Sequence, residues 1–210
     1  MNPMFYFLLA LTIALAATTN AYGAVLDVNG IPIFGGSYYV LPVIFGAAGG
    51  GLNLTPSAGI PFTCSFNIVQ ESSEVERGIP VKFSNWRPKV AFVPESQNLN
   101  IEMDVKGTIC VQSTYWSVGE FDGESKQWFV AAGPKPEGDS SRSFFQIKKT
   151  GDFPNGYKIA FCPNGNDCID VGIFVDKYGV RRLALSSTPF PVVFVKATET
   201  ETLSKTMSII

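Results

Sequence analysis

Short runs of β-branched and aromatic residues recur along this chain, and segments containing glycine, proline, asparagine and aspartate separate them. No stretch places apolar residues at helical spacing between capping residues. About a dozen short strands at this spacing within one domain predict an all-β sandwich or barrel. The predicted strands are residues 37–41, 62–69, 90–93, 100–105, 108–113, 127–131, 143–148, 157–161, 171–175, 183–186 and 192–196.

Local patterns place some residues on these predicted strands. Residues 100–105 alternate between apolar and charged side chains, as a strand with one buried face does. The sequence Asp-Lys-Tyr-Gly at residues 176–179 predicts a hairpin turn between two of the runs. We expect Trp116 and Trp128 to lie in the core. Trp86 fits either the core or an exposed interface.

The N-terminus carries an apolar run over residues 5–17, which is too short to span a bilayer and is followed by small polar residues. We therefore predict a signal peptide over residues 1–23, with Ala21 and Gly23 as the small residues before the cut. A second possible cut uses Thr19 and Ala21. A secreted product follows, with the extracellular space as its destination. Residues 24–196 then form one domain, and residues 197–210 form a flexible tail.

The charge composition and the absence of histidine exclude several functions. The chain has 16 basic and 18 acidic residues and no basic stripe, so we expect neither nucleic-acid nor membrane binding in the mature form. It has no histidine, which excludes Ser-His and Cys-His catalysis. No facing pair of carboxylates stands out for glycoside hydrolysis. We predict a monomeric protein that is not an enzyme and has no cofactor or metal.

Four cysteines follow the predicted signal peptide: Cys64, Cys110, Cys162 and Cys168. An even number in an exported chain predicts two disulfides, for which three pairings exist. The last two flank a turn-rich Pro-Asn-Gly-Asn-Asp segment that brings its ends together. We therefore pair Cys162 with Cys168 and Cys64 with Cys110. A zinc site is disfavoured, since the spacing is not CxxC and no histidine is present.

Two stretches resemble the plant Kunitz-type inhibitor family, also called the soybean trypsin inhibitor type. Residues 25–41 read VLDVNGIPIFGGSYYVL and are similar to the family's N-terminal signature, although Ile31 stands where the family has a polar residue. Residues 157–186 resemble its last third, and the cysteines stand where its two disulfides lie. The signature is matched at Val25, Asp27, Asn29, Gly30, Ile33, Tyr39 and Leu41.

This resemblance covers essentially the whole mature chain and has implications for fold and function. It implies a twelve-stranded β-trefoil with pseudo-threefold symmetry and two disulfides. It also implies a secreted inhibitor of serine-class endopeptidases, acting in plant defence or in the control of endogenous proteolysis. Such inhibitors lay a substrate-like loop into the protease cleft, where a basic residue fills a pocket with a carboxylate at its floor.

The resemblance places this loop at residues 84–90, and the predicted protease contacts are Trp86, Arg87, Pro88, Lys89 and Val90. Arg87 aligns best with the basic cleavage residue if one residue is deleted. Pro88 would then follow the cut, where its missing N–H disturbs backbone pairing. An ungapped alignment puts Pro88 itself at the cleavage position. A third alignment puts Lys89 at the cleavage position, with Pro88 before it and Val90 after it.

Phe34 stands where the family's stronger inhibitors often carry an asparagine that braces the loop. A phenylalanine side chain supplies no such hydrogen bond, so the resemblance implies weak action on trypsin. Lys177 at the predicted hairpin tip and Lys135 between two prolines are secondary contact candidates.

Other functions remain open from the sequence. The alternatives are a storage protein, a protein- or carbohydrate-binding trefoil without inhibitory activity, and an inhibitor of another hydrolase class. A ricin-like Gln-x-Trp repeat is absent, since Gln127 and Trp128 are adjacent. Asn53 begins an Asn-Leu-Thr sequon after three glycines, which predicts N-glycosylation on a loop.

Overall fold

The computed structural model describes residues 22–44, 46, 49–57, 66–86, 89–105, 113–136 and 141–198. These ranges contain a single short 3-10 helix, Ser141–Ser143, and no α-helix. The all-β prediction is therefore confirmed. The twelve strands are β1 (Tyr38–Pro42), β2 (Leu52–Pro56), β3 (Phe66–Gln70), β4 (Val81–Ser84), β5 (Asn100–Met103), β6 (Tyr115–Asp122), β7 (Gln127–Gly133), β8 (Phe145–Lys149), β9 (Tyr157–Phe161), β10 (Ile169–Val175), β11 (Arg181–Leu185) and β12 (Val192–Lys196).

Six of the strands form a closed circuit of pairings. The first and last strands, β1 and β12, pair antiparallel along their whole length, from Tyr38 opposite Lys196 to Pro42 opposite Val192. β1 also pairs with β4 and β4 with β5, while β12 pairs with β9 and β9 with β8. A bridge between Leu99 and Phe145 joins the start of β5 to β8 and completes the circuit.

The other six strands form three antiparallel hairpins, β2–β3, β6–β7 and β10–β11. Each hairpin contacts the other two through backbone pairing. β3 pairs with β7, β7 with β11 and β11 with β3. The predicted turn at residues 176–179 forms the tip of β10–β11, where the Gly179 N–H donates to the Asp176 carbonyl at 3.0 Å.

Large aromatic side chains fill the centre of the sheet. Trp116 is fully buried, as predicted, and packs edge-on against Phe145 with ring centroids 5.8 Å apart. Tyr157 and Phe194 pack at 5.7 Å. The core prediction for Trp128 is wrong, because that residue lies near the turn of the β6–β7 hairpin, is 41% exposed, and packs at a tilted angle against Phe121.

The sequence prediction missed three strands and placed one where none exists. β2 was missed because its asparagine and proline resemble turn residues. Within the described residues β2 pairs only with β3, and an edge strand tolerates proline. β4 is only four residues long. β6 contains Gly119 beside a register shift. Residues 90–93 form only an isolated bridge at Phe92 and are not a strand, and residues 108–112 lie outside the described ranges.

Cys162 and Cys168 form a disulfide with an S–S distance of 2.07 Å. Cys64 and Cys110 lie outside the described residues, as do residues 1–21 of the predicted signal peptide and residues 199–210 of the predicted tail. No helix in the described ranges has the length and apolar character needed to cross a bilayer.

Candidate functional site

The segment that leaves β4 is fixed by a chain of amide hydrogen bonds. Asn85 adopts the left-handed conformation at φ 61°, which asparagine tolerates better than most residues. Its Nδ2 donates to Asn100 Oδ1 at 2.9 Å. Asn100 is 6% exposed, and its own Nδ2 donates to the Ser143 carbonyl at 2.9 Å. The first residue after β4 is therefore tied through β5 to the 3-10 helix.

The Trp86 side chain joins the two ends of the segment that follows Asn85, which we call the contact loop (residues 86–90). Its indole Nε1 donates to the Val90 carbonyl at 3.0 Å. The half-buried Trp86 ring also packs against the main hydrophobic core. One side chain thus fixes the distance between the two ends of the contact loop and attaches the loop to the core.

The chain beyond the contact loop is held by three buried residues. Val25 N–H donates to the Val93 carbonyl at 2.9 Å, Val93 N–H to the Ile33 carbonyl at 2.7 Å, and Ile33 N–H to the Val25 carbonyl at 2.8 Å. Phe34, which follows Ile33, and Phe92, which precedes Val93, form an isolated antiparallel bridge. Phe34 is 49% exposed, so its backbone supports this segment although its side chain offers no hydrogen bond.

The predicted protease contacts are only partly visible. Trp86 and Val90 are brought together as described above. Lys89 is exposed, and no acidic side chain in the described ranges pairs with it. Arg87 and Pro88 lie outside the described residues.

The two secondary candidates lie on other connections. Lys177 donates to Glu124 at the tip of the neighbouring β6–β7 hairpin, and this hydrogen bond raises the pKa of the Lys177 ammonium. Its ammonium also lies 5.3 Å from the Tyr178 ring centroid. Lys135 is exposed beyond β7, where its backbone N–H donates to Ser113 Oγ at 2.9 Å. Neither shares a connection with the contact loop.

Sequence reasoning missed Asn85, Asn100 and Ser143 as residues that support the site. The only local signal was an asparagine directly before Trp86, since asparagine is enriched in the left-handed region. The hydrogen bond between Asn85 and Asn100 depends on the pairing of β4 with β5, which sets Ser84 opposite Asn100. Nothing in the local sequence specifies that register.

The predicted loop position of Asn53 is wrong. Asn53 lies within β2 opposite Val69. The preceding glycines approach the backbone of residues 71–77, as shown by the 2.8 Å hydrogen bond from Gly50 N–H to the Glu71 carbonyl. Asn53 Nδ2, the atom that would carry a glycan, donates to the Glu71 carboxylate. Glycosylation of Asn53 stays a prediction.

Several carboxylates in the described ranges form ion pairs with lysine or arginine. Asp170 pairs with Lys158 at 2.9 Å, and Glu120 pairs with Arg142 at 2.7 Å. No group of three or more histidine, cysteine, aspartate or glutamate side chains within these ranges could hold a metal ion.

The family model for legume-type Kunitz proteins, described as trypsin and protease inhibitors, matches residues 25–196. The chain belongs to this family. The resemblance found in the sequence is thereby confirmed, and the Kunitz trypsin inhibitor family consists of inhibitors, not enzymes.

Individual Kunitz relatives extend over nearly the whole chain. Kunitz trypsin inhibitor 4 of Arabidopsis thaliana is 64% identical over 215 residues, covering 99% of this chain and 97% of the relative. Soybean trypsin inhibitor, in a complex with porcine pancreatic trypsin, is 31% identical with a TM-score of 0.69, covering 84% of this chain and 100% of its own. The rice (Oryza sativa) bifunctional α-amylase/subtilisin inhibitor is 33% identical with a TM-score of 0.68, at 84% and 100% coverage.

Proposed function

We propose that this Kunitz protein inhibits a secreted serine-class endopeptidase through the contact loop, residues Trp86, Arg87, Pro88, Lys89 and Val90. The observation that carries the proposal is the indole hydrogen bond from Trp86 to Val90 across that loop. A loop already held in shape loses little conformational entropy on docking, so more of its interaction energy appears as affinity. The soybean inhibitor, whose structure includes bound trypsin, supports the choice of enzyme class.

The amide chain on the β4 side supplies support that Phe34 cannot. Asn85, Asn100 and Ser143 hold the start of the loop, and the buried backbone circuit at Val93 holds the segment after it. These supports favour retained inhibition despite the lost asparagine. Pro88 still disfavours Arg87 as the cleavage residue for a trypsin-like enzyme, since proline would follow the scissile bond. We therefore expect weak action on trypsin.

The test measures inhibition constants against trypsin, chymotrypsin, subtilisin and a cysteine protease. Arg87→Ala and Lys89→Ala, singly and together, locate the contact. A basic residue that fills a specificity pocket contributes about 2 kcal/mol or more, so the critical variant should weaken inhibition by about thirtyfold or more. Lys149→Ala, an exposed lysine on β8, is the matched control. Full activity of every protease with excess wild-type protein would overturn the proposal, and an unaffected double variant would exclude the contact loop as the site.

Inhibition of an α-amylase is a second candidate, because the rice relative is described as a bifunctional α-amylase/subtilisin inhibitor. An α-amylase assay with the wild-type protein tests it. Inhibition that survives the Arg87→Ala/Lys89→Ala double change would assign the amylase contact to a different surface.

We also propose that the twelve strands form a pseudo-threefold β-trefoil with a second disulfide between Cys64 and Cys110. The six-strand circuit and the three mutually paired hairpins support this arrangement. Peptide mapping without reduction tests the disulfide, because a linked pair of peptides that separates on reduction must contain both cysteines. Two free thiols at these positions would contradict it.

We propose further that residues 1–23 direct secretion and are removed, that residues 24–196 are the monomeric inhibitor domain, and that residues 197–210 are a flexible tail. The role is then defence or the control of endogenous proteolysis outside the cell or in the vacuole. N-terminal sequencing of the protein secreted by plant cells should begin at Ala24, and light-scattering mass should equal one chain. Retention of Met1 or a dimeric mass would contradict these parts of the proposal.

A further inference from the structure

A cavity of about 450 Å³ opens between residues 96–98 and the loop closed by the Cys162–Cys168 disulfide, and no residue of the contact loop lines it. Its volume lies in the range of small-molecule sites. Uncharged amide side chains and one aromatic ring contribute most of its walls, and no acidic or basic residue lines it. The residues that matter here are Gln97, Asn98, Phe144, Gln146, Asn164 and Asn166.

Gln146 gives this cavity a buried hydrogen-bond acceptor that lacks a donor. Its side chain is 5% exposed, and its Nε2 donates to Asn98 Oδ1 at 2.8 Å and to the Gly165 carbonyl at 2.9 Å. The second bond fixes the amide orientation, because a flipped amide would set its oxygen against the Gly165 carbonyl.

The opposite atom of that amide, Gln146 Oε1, faces no hydrogen donor in the described residues. Its one neighbour at hydrogen-bond range there is Cys168 Sγ at 3.8 Å, and a disulfide sulfur has no proton to give. Buried acceptors are nearly always satisfied by protein or water, so this oxygen can accept an O–H or N–H from water or from a molecule bound in the cavity.

The wall next to Gln146, formed by residues 163–166, is held in place by the chain itself. The disulfide holds the ends of residues 163–167 together, and Gly165 N–H donates to the Cys162 carbonyl at 3.2 Å. Asn164 and Asn166 are exposed on either side of Gly165. They offer amide donors and acceptors on a loop whose ordering costs little on binding.

We propose that this cavity binds a neutral saccharide. Sugar hydroxyls both donate and accept, so they can satisfy Gln146 Oε1 and pair with the asparagine amides at the rim. The apolar face of a sugar ring suits the Phe144 side chain. A charged ligand is disfavoured because no side chain of opposite charge would compensate its loss of hydration.

The test is an NMR titration of the mature protein with glucose, galactose, mannose, N-acetylglucosamine and their disaccharides. We expect saturable shifts confined to the backbone amides of residues 96–98, 144–146 and 164–166. Glucuronate should bind more weakly than glucose, because it carries a charge that the cavity cannot pair. Triglycine is included as a peptide probe.

Substitutions at the exposed rim of the cavity test saccharide binding without disturbing the buried core. Asn164→Ala/Asn166→Ala should weaken saccharide binding by about fivefold or more, the loss of at least one net hydrogen bond. Asn29→Ala, an exposed asparagine in a distant turn, should bind as the wild type does. Gln146→Met tests the buried acceptor directly. The proposal is overturned if no saccharide gives saturable shifts, if the rim variant binds normally, or if triglycine alone saturates the site.

Discussion

Trp86 performs two tasks that separate substitutions can distinguish. Its ring packs on the core, and its indole N–H holds the Val90 carbonyl. Trp86→Phe keeps a packed aromatic ring and removes the N–H. The loss of one net hydrogen bond is about 1 kcal/mol, so we expect inhibition about fivefold weaker and faster cleavage of the contact loop.

Inhibition constants and mass spectrometry of the protein after incubation with protease measure these two effects. Trp128→Phe is the matched control, since Trp128 lies on another hairpin and is 41% exposed. An unchanged inhibition constant and an unchanged cleavage rate in Trp86→Phe would show that the hydrogen bond does not shape the loop.

Asn100 connects two hydrogen bonds in a buried position, so its removal should affect both stability and inhibition. Asn100→Ala leaves the Ser143 carbonyl without its side-chain donor and frees Asn85. Unsatisfied buried groups cost about 1–3 kcal/mol, and we expect a loss of unfolding free energy in that range together with a higher inhibition constant. Urea unfolding and protease assays measure the two quantities. A destabilised variant with unaltered inhibition would mean that Asn85 does not position the loop.

The sequence could indicate which residues were candidates here, but not how they are held. Arg87 and Lys89 came from the resemblance to a family, because a single basic residue near a proline has no distinctive pattern. Trp86 was ambiguous since the same ring suits a core and an interface. The supporting role of Asn100 depends on strand register, which is set by pairing between distant segments.

Gly78 marks a close contact between the segment after β3 and the backbone of β2. It adopts φ +69°, and a Cβ there would lie 1.9 Å from the Leu52 carbonyl oxygen. Gly78→Ala therefore needs a backbone shift, and we expect a loss of unfolding free energy above about 3 kcal/mol. Gly35→Ala, where nothing lies within 4 Å, should change it by less than about 0.5 kcal/mol. Equal urea midpoints for the two variants would contradict this account.

The Cys162–Cys168 loop should contribute modestly to stability because it is short. Chain-entropy reasoning for this sequence separation of 6 gives about 2 kcal/mol. Cys162→Ala/Cys168→Ala should therefore unfold at lower urea concentration than the oxidised wild type. A variant as stable as the oxidised wild type would show that this bridge adds nothing to stability.

Strands rich in apolar and β-branched residues were predictable from the sequence, whereas strands that form because a partner lies beside them were not. Residues 157–161 and 192–196 were predicted with the bounds that β9 and β12 have. β2 contains an asparagine and a proline and is a strand because β3 lies beside it. The Trp128 error has the same origin, since burial depends on where a hairpin ends relative to the rest of the sheet.

Buried tyrosines make the stability of the molecule sensitive to alkaline pH. Burial raises the pKa of Tyr38, Tyr115 and Tyr157 above the ordinary value of 10.0. The unfolded chain then loses these protons first, so unfolding releases protons and the free energy of unfolding falls as pH rises. The contribution is fully present below about pH 10 and is lost above it.

Urea unfolding at pH 8, 10 and 11, chosen to bracket an ordinary tyrosine pKa of about 10, measures this dependence. Tyr157→Phe should flatten the decline, although it lowers stability at every pH because the Leu26 N–H loses its acceptor at 2.8 Å. Tyr178→Phe, at an 80% exposed position, is the control and should keep the wild-type slope. An equally steep decline in Tyr157→Phe would assign the effect to other groups.

Two features of the overall architecture could be predicted from the sequence. Composition and turn spacing gave the all-β class, and resemblance to the Kunitz family implied twelve strands. The closed circuit of six strands could not be read from local patterns, because its closure rests on a bridge between Leu99 and Phe145 and on strands at opposite ends of the chain.

The pairing of β1 with β12 has a consequence for biosynthesis. Val40 has no partner on that side until Phe194 has been synthesised and has left the ribosome. Contacts between such distant segments form slowly and leave the nascent chain with an exposed strand edge until translation ends. Premature termination anywhere before β12 should therefore yield a product that chaperones retain and proteases degrade, rather than a shorter working molecule.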